Sequence, residues 1–178
     1  VTWAGGPHSV LPATGVAQFW LAAPSLVARY LARGGQVVAS GHPATYLDMP
    51  QMVSPLEVAY SYEPLPAELP PEAAGGLLGI EAPLWTERVE TPEQLDYQTF
   101  PRLIAFAETG WNAGPRNYRA FRERLAGLLP HLDALGVRYA PEPDWDPPLS
   151  KRWLVKVARN VLWNRLQREG RQRGEELL

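Results

Sequence analysis

Apolar residues change their spacing twice within the first forty positions, and this alternation limits the fold more than any other feature of the chain. Val16-Ala17-Gln18-Phe19-Trp20 is an apolar run of strand length. From Pro24-Ser25 onward Leu26, Val27, Tyr30 and Leu31 share one helical stripe, closed by Gly34-Gly35, and Gln36 to Ser40 follows as a second buried strand. A loop rich in proline, residues 43–71, carries Tyr46-Leu47-Asp48 and a short helical stretch around Leu56 to Tyr60. Gly79 through Glu87 reads as a further strand. Strand, helix, strand, long loop, strand, helix is the alternation of a parallel α/β protein.

Downstream, Thr91-Pro92-Glu93 is a helix start, with Thr as cap, Pro in the first turn and an acid near the positive end. Phe100, Leu103, Ile104 and Ala107 continue as a helical stripe that reaches Trp111, with a bend expected at Pro101. A last helix is expected from about Pro115, its stripe running through Tyr118, Phe121, Leu125, Leu128, Leu129, Leu132 and Leu135 to Gly136. Pro141 to Pro148 packs four prolines and three acids into eight residues and is expected to be a linker. Beyond it, residues 151–178 carry eight basic and three acidic side chains with an apolar stripe of Trp153, Leu154, Val157, Val161, Leu162 and Leu166, the pattern of a basic amphipathic helix.

Composition removes several classes of function. The chain has 178 residues, 46% of them hydrophobic, enough for one domain with a core. Its net charge of −2 supplies no field for nucleic acid. No apolar stretch approaches the length of a membrane span. There are no cysteines, and His8, His42 and His131 are too scattered to form a metal site, so neither a metal nor a cofactor is expected. The chain starts at Val1 without an initiator Met or a leader, as a cut inside a longer protein would.

The chemistry concentrates at strand ends. In Gly79-Ile80-Glu81-Ala82-Pro83-Leu84-Trp85-Thr86-Glu87, strand parity puts Glu81, Pro83, Trp85 and Glu87 on one side and Ile80, Ala82, Leu84 and Thr86 on the other. An indole beside a carboxylate suits a sugar, whose C–H face packs on the ring while its hydroxyls donate to the oxygens. Glu81 and Glu87 are not the acid and nucleophile of a glycosidase. Six residues of strand separate them by roughly 20 Å, against about 5 to 9.5 Å for such pairs. Tyr46 and Asp48 lie just past another strand, and Trp20 ends a third. In parallel α/β folds, residues past the carboxyl ends of the strands line the ligand site, so these groups are expected to meet on one rim.

Together these segments resemble glycoside hydrolase family 20, the β-N-acetylhexosaminidases. Trp20 resembles the family's strand-end Trp, Tyr46-Leu47-Asp48 its Tyr-Leu-Asp, and Gly79 through Glu87 its Gly-x-x-Ala-x-Leu-Trp-Thr-Glu segment. Phe100-Pro101-Arg102-Leu103 with Ala105, Ala107, Glu108 and Trp111 resembles its Phe-Pro-Arg helix, and Gly136-Val137 with Tyr139 the end of its catalytic domain. The resemblance implies a (β/α)₈ barrel, of which this chain would supply roughly the last three strands and their helices, with the amphipathic helix added at the carboxyl end. Residues 1–141 would form the barrel part, 142–150 the linker and 151–178 the tail.

It also implies a retaining enzyme in which the substrate's own 2-acetamido oxygen attacks the anomeric carbon, an exception to the two-carboxylate scheme. Tyr46 would then hydrogen-bond the acetamido oxygen and steady the oxazolinium intermediate, Trp20 would wall the acetamide pocket, Trp85 would stack under the sugar, and Asp48 and Glu87 would bind its 4- and 6-hydroxyls. Trp3 resembles a further pocket Trp, although Gly5 stands where an acid is expected. The expected partners are a glycan or chito-oligosaccharide ending in an N-acetylhexosamine and the amino-terminal half of the same barrel, not nucleic acid or membrane. The family's adjacent Asp-Glu pair, which orients the acetamide and protonates the leaving oxygen, is absent from this chain. The chain alone is therefore expected to be inactive. An alternative is a noncatalytic sugar-binding relative of the same barrel.

Overall fold

Strands here are short because each needs only enough length to cross one layer, and side chains just beyond them form the rim. The computed structural model describes residues 2–4, 11, 15–21, 24–65, 69, 71–112 and 114–148. Four parallel strands, β1 (Thr2–Ala4), β2 (Val16–Phe19), β3 (Gln36–Ala39) and β4 (Leu77–Ile80), pair in sequence order. Among the described residues four strands stand where roughly three were expected. The additional one, β1, has only three residues, too few to carry a readable period.

Helix α1 (Pro24–Ala32) makes the crossover from β2 to β3. It buries Val27, Tyr30 and Leu31 of the expected stripe against Ala17, Phe19 and Val37. Its end needs glycine: Gly34 has φ +82°, where a β-carbon is unfavourable, while its N–H donates to the Leu31 carbonyl at 2.9 Å. A second, larger cluster of apolar residues packs against Ile80 of β4. There α2 (Leu56–Tyr60), α4 (Arg102–Trp111) and α5 (Tyr118–Ala134) bring Leu56, Tyr60, Phe106, Phe121 and Leu125 together.

Two expected elements differ in extent. The strand expected over residues 79–87 runs from Leu77 to Ile80, with a bulge where Val37 pairs with Leu77 and Val38 with Gly79. Gly79, at φ +156°, accommodates that irregularity. Past Ile80 the chain leaves the ladder after Glu81 N–H donates to the Ala39 carbonyl, and Thr86–Arg88 form a turn of 3₁₀ helix. Ile80, Ala82 and Leu84 pack against the second cluster, as parity required, but Thr86 is exposed and Pro83 is buried.

The helix expected to bend at Pro101 is instead two, α3 (Pro92–Thr99) and α4. Proline cannot donate an N–H and its ring crowds the preceding turn, so the chain breaks there. Thr91 caps α3 as expected, and Gln94 completes a capping box.

Within the segment expected to be a linker, Glu142–Trp145 form a short helix, α6, and Trp145 is buried in the second cluster. Its indole N–H donates to the Ala140 carbonyl at 2.6 Å, and the Arg122 guanidinium carbon sits 5.6 Å from the ring centroid. Trp145→Ala should therefore destabilise the protein by about 3 to 5 kcal/mol, read as a lower urea midpoint. The basic tail 151–178, His8 and Gly5-Gly6 lie outside the described residues. Among the described residues no helix is long and apolar enough to cross a membrane.

Candidate functional site

Because all four strands run the same way, the segments that follow β2, β3 and β4 leave the sheet on one side. Backbone bonds then tie these segments into a continuous rim. Trp20 N–H donates to the Ala4 carbonyl at 3.2 Å, His42 N–H to the Trp20 carbonyl at 2.8 Å, and Leu47 N–H to the Pro83 carbonyl at 2.7 Å. The turn bearing Tyr46 and Asp48 is braced further by Ser54, whose hydroxyl donates to the Ala44 carbonyl at 2.7 Å.

The rim encloses a cavity of about 410 Å³ lined by Trp3, Trp20, His42, Tyr46, Asp48, Met49, Trp85 and Glu87. All five residues singled out from the sequence, Trp20, Tyr46, Asp48, Trp85 and Glu87, border this one space. Trp3 and Trp85 meet with ring centroids 5.9 Å apart, tilted by 60°. His42 stands edge-on to Trp20 at 6.4 Å and to Tyr46 at 4.8 Å. The two half-exposed indoles, Trp3 and Trp85, offer flat apolar surface, while Tyr46 and Asp48 sit deep. Such a mixture of broad aromatic faces and a few fixed polar atoms is what a pyranose ring needs, apolar on its C–H faces and hydroxylated around its edge.

Electrostatics keep the Tyr46 hydroxyl a donor. Burial pushes its pKa above the ordinary value, and the charges of Asp48 and Glu81 act in the same direction, while a hydrogen bond from Trp85 opposes them. A phenol that keeps its proton can donate that O–H to a ligand in the cavity it lines. Asp48 Oδ1 is buried and has no hydrogen-bond partner among the described residues. A buried carboxylate oxygen left open in this way is ready to accept from a ligand hydroxyl.

Some contributors were not anticipated. Met49 joins the lining simply as the next residue of the turn. Gln18 on β2 is buried and its amide donates to Glu81, spanning β3, so a polar tie lies across the sheet close to Tyr46. Arg102 and Glu108, both on α4, do not pair with each other. Glu108 accepts from Tyr60 at 3.1 Å and from Arg124, and Arg102 turns the other way, into the loop behind the cavity. Arg102 lies off the expected stripe: α4 buries Arg102, Ala105 and Phe106 rather than Leu103 and Ala107, and the acceptors at Leu47, Met49 and Ser54 are far away in the chain. Among the described residues no group of three or more metal-binding side chains comes together.

Residues 1–114 match the family model described as glycosyl hydrolase family 20, catalytic domain. The chain is 41% identical over 87 residues to a β-hexosaminidase of Porphyromonas gingivalis, covering 48% of this chain and 11% of that protein. It is 31% identical over 151 residues to a β-N-acetylhexosaminidase of Cellulomonas fimi, covering 75% of this chain and 30% of that protein. Among solved structures it resembles a family 20 exo-β-N-acetylglucosaminidase of Vibrio harveyi in complex with N-acetylglucosamine, with TM-score 0.63, 35% identity, and coverage of 74% of this chain and 22% of that one. It also resembles the family 20 β-N-acetylhexosaminidase of Streptomyces coelicolor, with TM-score 0.64, 33% identity, and coverage of 72% and 29%. The chain thus spans less than a third of each of these relatives. A match of this extent, falling on the strands and the rim that form the cavity, means that the chain belongs to glycosyl hydrolase family 20.

Proposed function

We propose that this chain forms the acetamide-gripping side of the active site in a retaining β-N-acetylhexosaminidase that removes terminal N-acetylglucosamine or N-acetylgalactosamine. The observation that carries this reading is the single cavity shared by Trp20, Tyr46, Asp48, Trp85 and Glu87. In this reading the sugar lies on Trp85 and its acetamide is walled by Trp20. The acetamido oxygen bonds to the anomeric carbon as the glycosidic bond breaks, and Tyr46 donates to that oxygen while the oxazolinium carries the positive charge. Asp48 and Glu87 receive the outlying hydroxyls. The leaving oxygen takes its proton from an Asp-Glu pair that this chain does not contain.

Four parallel strands are half of what a (β/α)₈ barrel needs, so the amino-terminal half of the same barrel is the partner that would close the site. Residues 1–141 are the barrel part in this reading, and 142–150 lead to the basic tail 151–178. Trp145 pins the start of that connecting segment to the barrel part.

The test uses the full reading frame that contains this chain, assayed on 4-nitrophenyl N-acetyl-β-glucosaminide. Glu87→Gln keeps the shape of the side chain but weakens it as an acceptor, and should raise KM about tenfold with little change in kcat. The reading fails if neither this substitution nor a change at Tyr46 alters hydrolysis. Codons upstream of Val1 are informative too: an Asp-Glu pair at a strand end supports the enzyme, and its absence supports sugar binding without hydrolysis.

A further inference from the structure

We infer that Arg102, which does not touch the cavity, is a positioning residue that holds the turn bearing Asp48 so that the open carboxylate oxygen faces the bound sugar; the inference rests on the function proposed above. The Arg102 side chain is completely buried. Its Nη1 donates to the carbonyls of Met49 at 2.8 Å and Ser54 at 3.1 Å. Its Nη2 donates to the Leu47 carbonyl at 2.6 Å, the Gln98 carbonyl at 2.6 Å and Gln98 Oε1 at 2.9 Å. The carbonyls of Leu47 and Met49 lie immediately before and after Asp48, so one planar group fixes the backbone on both sides of that residue.

Arg102 also supplies charge without using up the acceptor. Its Nη donors are spent on the loop and Gln98, while Asp48 Oδ1 is left without a partner among the described residues. The guanidinium and the Asp48 carboxylate nevertheless attract each other, and although burial pulls the Arg102 pKa down to about 10, the group stays cationic at neutral pH. A nearby cation whose Nη donors are all taken by the loop and Gln98 leaves the Asp48 oxygen open for a sugar hydroxyl. Lysine could keep the charge but not the planar fork that spans two carbonyls around Asp48.

The full reading frame is assayed on the N-acetylglucosaminide and on its 4-deoxy and 6-deoxy forms. Asp48→Asn should raise KM on the parent and on one deoxy form, and have little effect on the other, which identifies the hydroxyl that Asp48 receives. Arg102→Lys should raise KM roughly tenfold on the parent but no more than about twofold on that same deoxy substrate. Gln98→Ala removes only one anchor of the guanidinium, and should show the same selectivity at about threefold even if Arg102→Lys folds poorly.

A purely structural arginine would lower activity equally on all three substrates, and that result from both variants overturns the inference. If Asp48→Asn is selective and neither Arg102→Lys nor Gln98→Ala is, this inference alone fails. If Asp48→Asn acts equally on all three substrates, the proposed assignment of Asp48 fails and takes this inference with it.

Discussion

Tyr46→Phe should lower kcat by about 10² to 10³ on an N-acetylglucosaminide in the full-length protein, with KM changed by less than about threefold, because the donor acts on charge that develops during reaction. The ring stays and only one oxygen is removed, so packing against His42 is preserved and the loss is electrostatic. Tyr46 is 5% exposed, and a donor shielded from water acts through a lower effective dielectric. Its pKa lies above the ordinary phenol value, chiefly through burial. A raised value means the O–H is present at every pH below it, so the ratio of variant to parent rates should be flat from about pH 5 to 9. A loss that appears only in KM, or one that grows with pH inside that window, would show that Tyr46 does not meet the developing charge.

Residues 1–178 expressed alone should hydrolyse no N-acetylglucosaminide, and hydrolysis should appear when the rest of the barrel is supplied. General acid catalysis contributes about 10² to 10⁴ in rate, and the Asp-Glu pair that would supply it is absent here. Packing gives a second reason. β1 and β4 are edge strands of a sheet that would be continuous in a barrel. Between β4 and α4 runs an open groove of about 400 Å³ lined by Leu78, Ile80, Leu103, Phe106 and Trp111, and Trp111 is 92% exposed. Exposed apolar surface of this kind favours association or loose folding. The measurement is a rate of nitrophenol release by the isolated chain, set beside the same chain within the full reading frame. Turnover by the isolated chain at a comparable rate would overturn the assignment of the acid to residues elsewhere.

The parts of this architecture that depend on local chemistry were legible. β2, α1 and β3 follow from a change of period and a glycine pair, and the Thr91 cap from one residue type at a helix start. The meeting of Trp20, Tyr46 and Trp85 was legible as well, since parallel strands bring their carboxyl ends to one side whatever lies between them. Features that depend on pairing or distant partners were not. The parity assigned to residues 79–87 assumes a ladder throughout, but the ladder stops near Glu81, so Thr86 and Glu87 are placed by a helical turn instead. Helical spacing continued through Pro101 even though the backbone could not. The role of Arg102 was invisible because its acceptors at Leu47, Met49 and Ser54 lie about fifty positions upstream, and a spacing rule compares only near neighbours.

The irregular pairing opposite Val37 and Val38 works as a half-step in a staircase. Every position after Leu78 stands one place lower along the sheet than an even ladder would set it. The Trp85 indole that lines the cavity therefore owes its height to a slip inside the sheet, several residues before the turn that presents it.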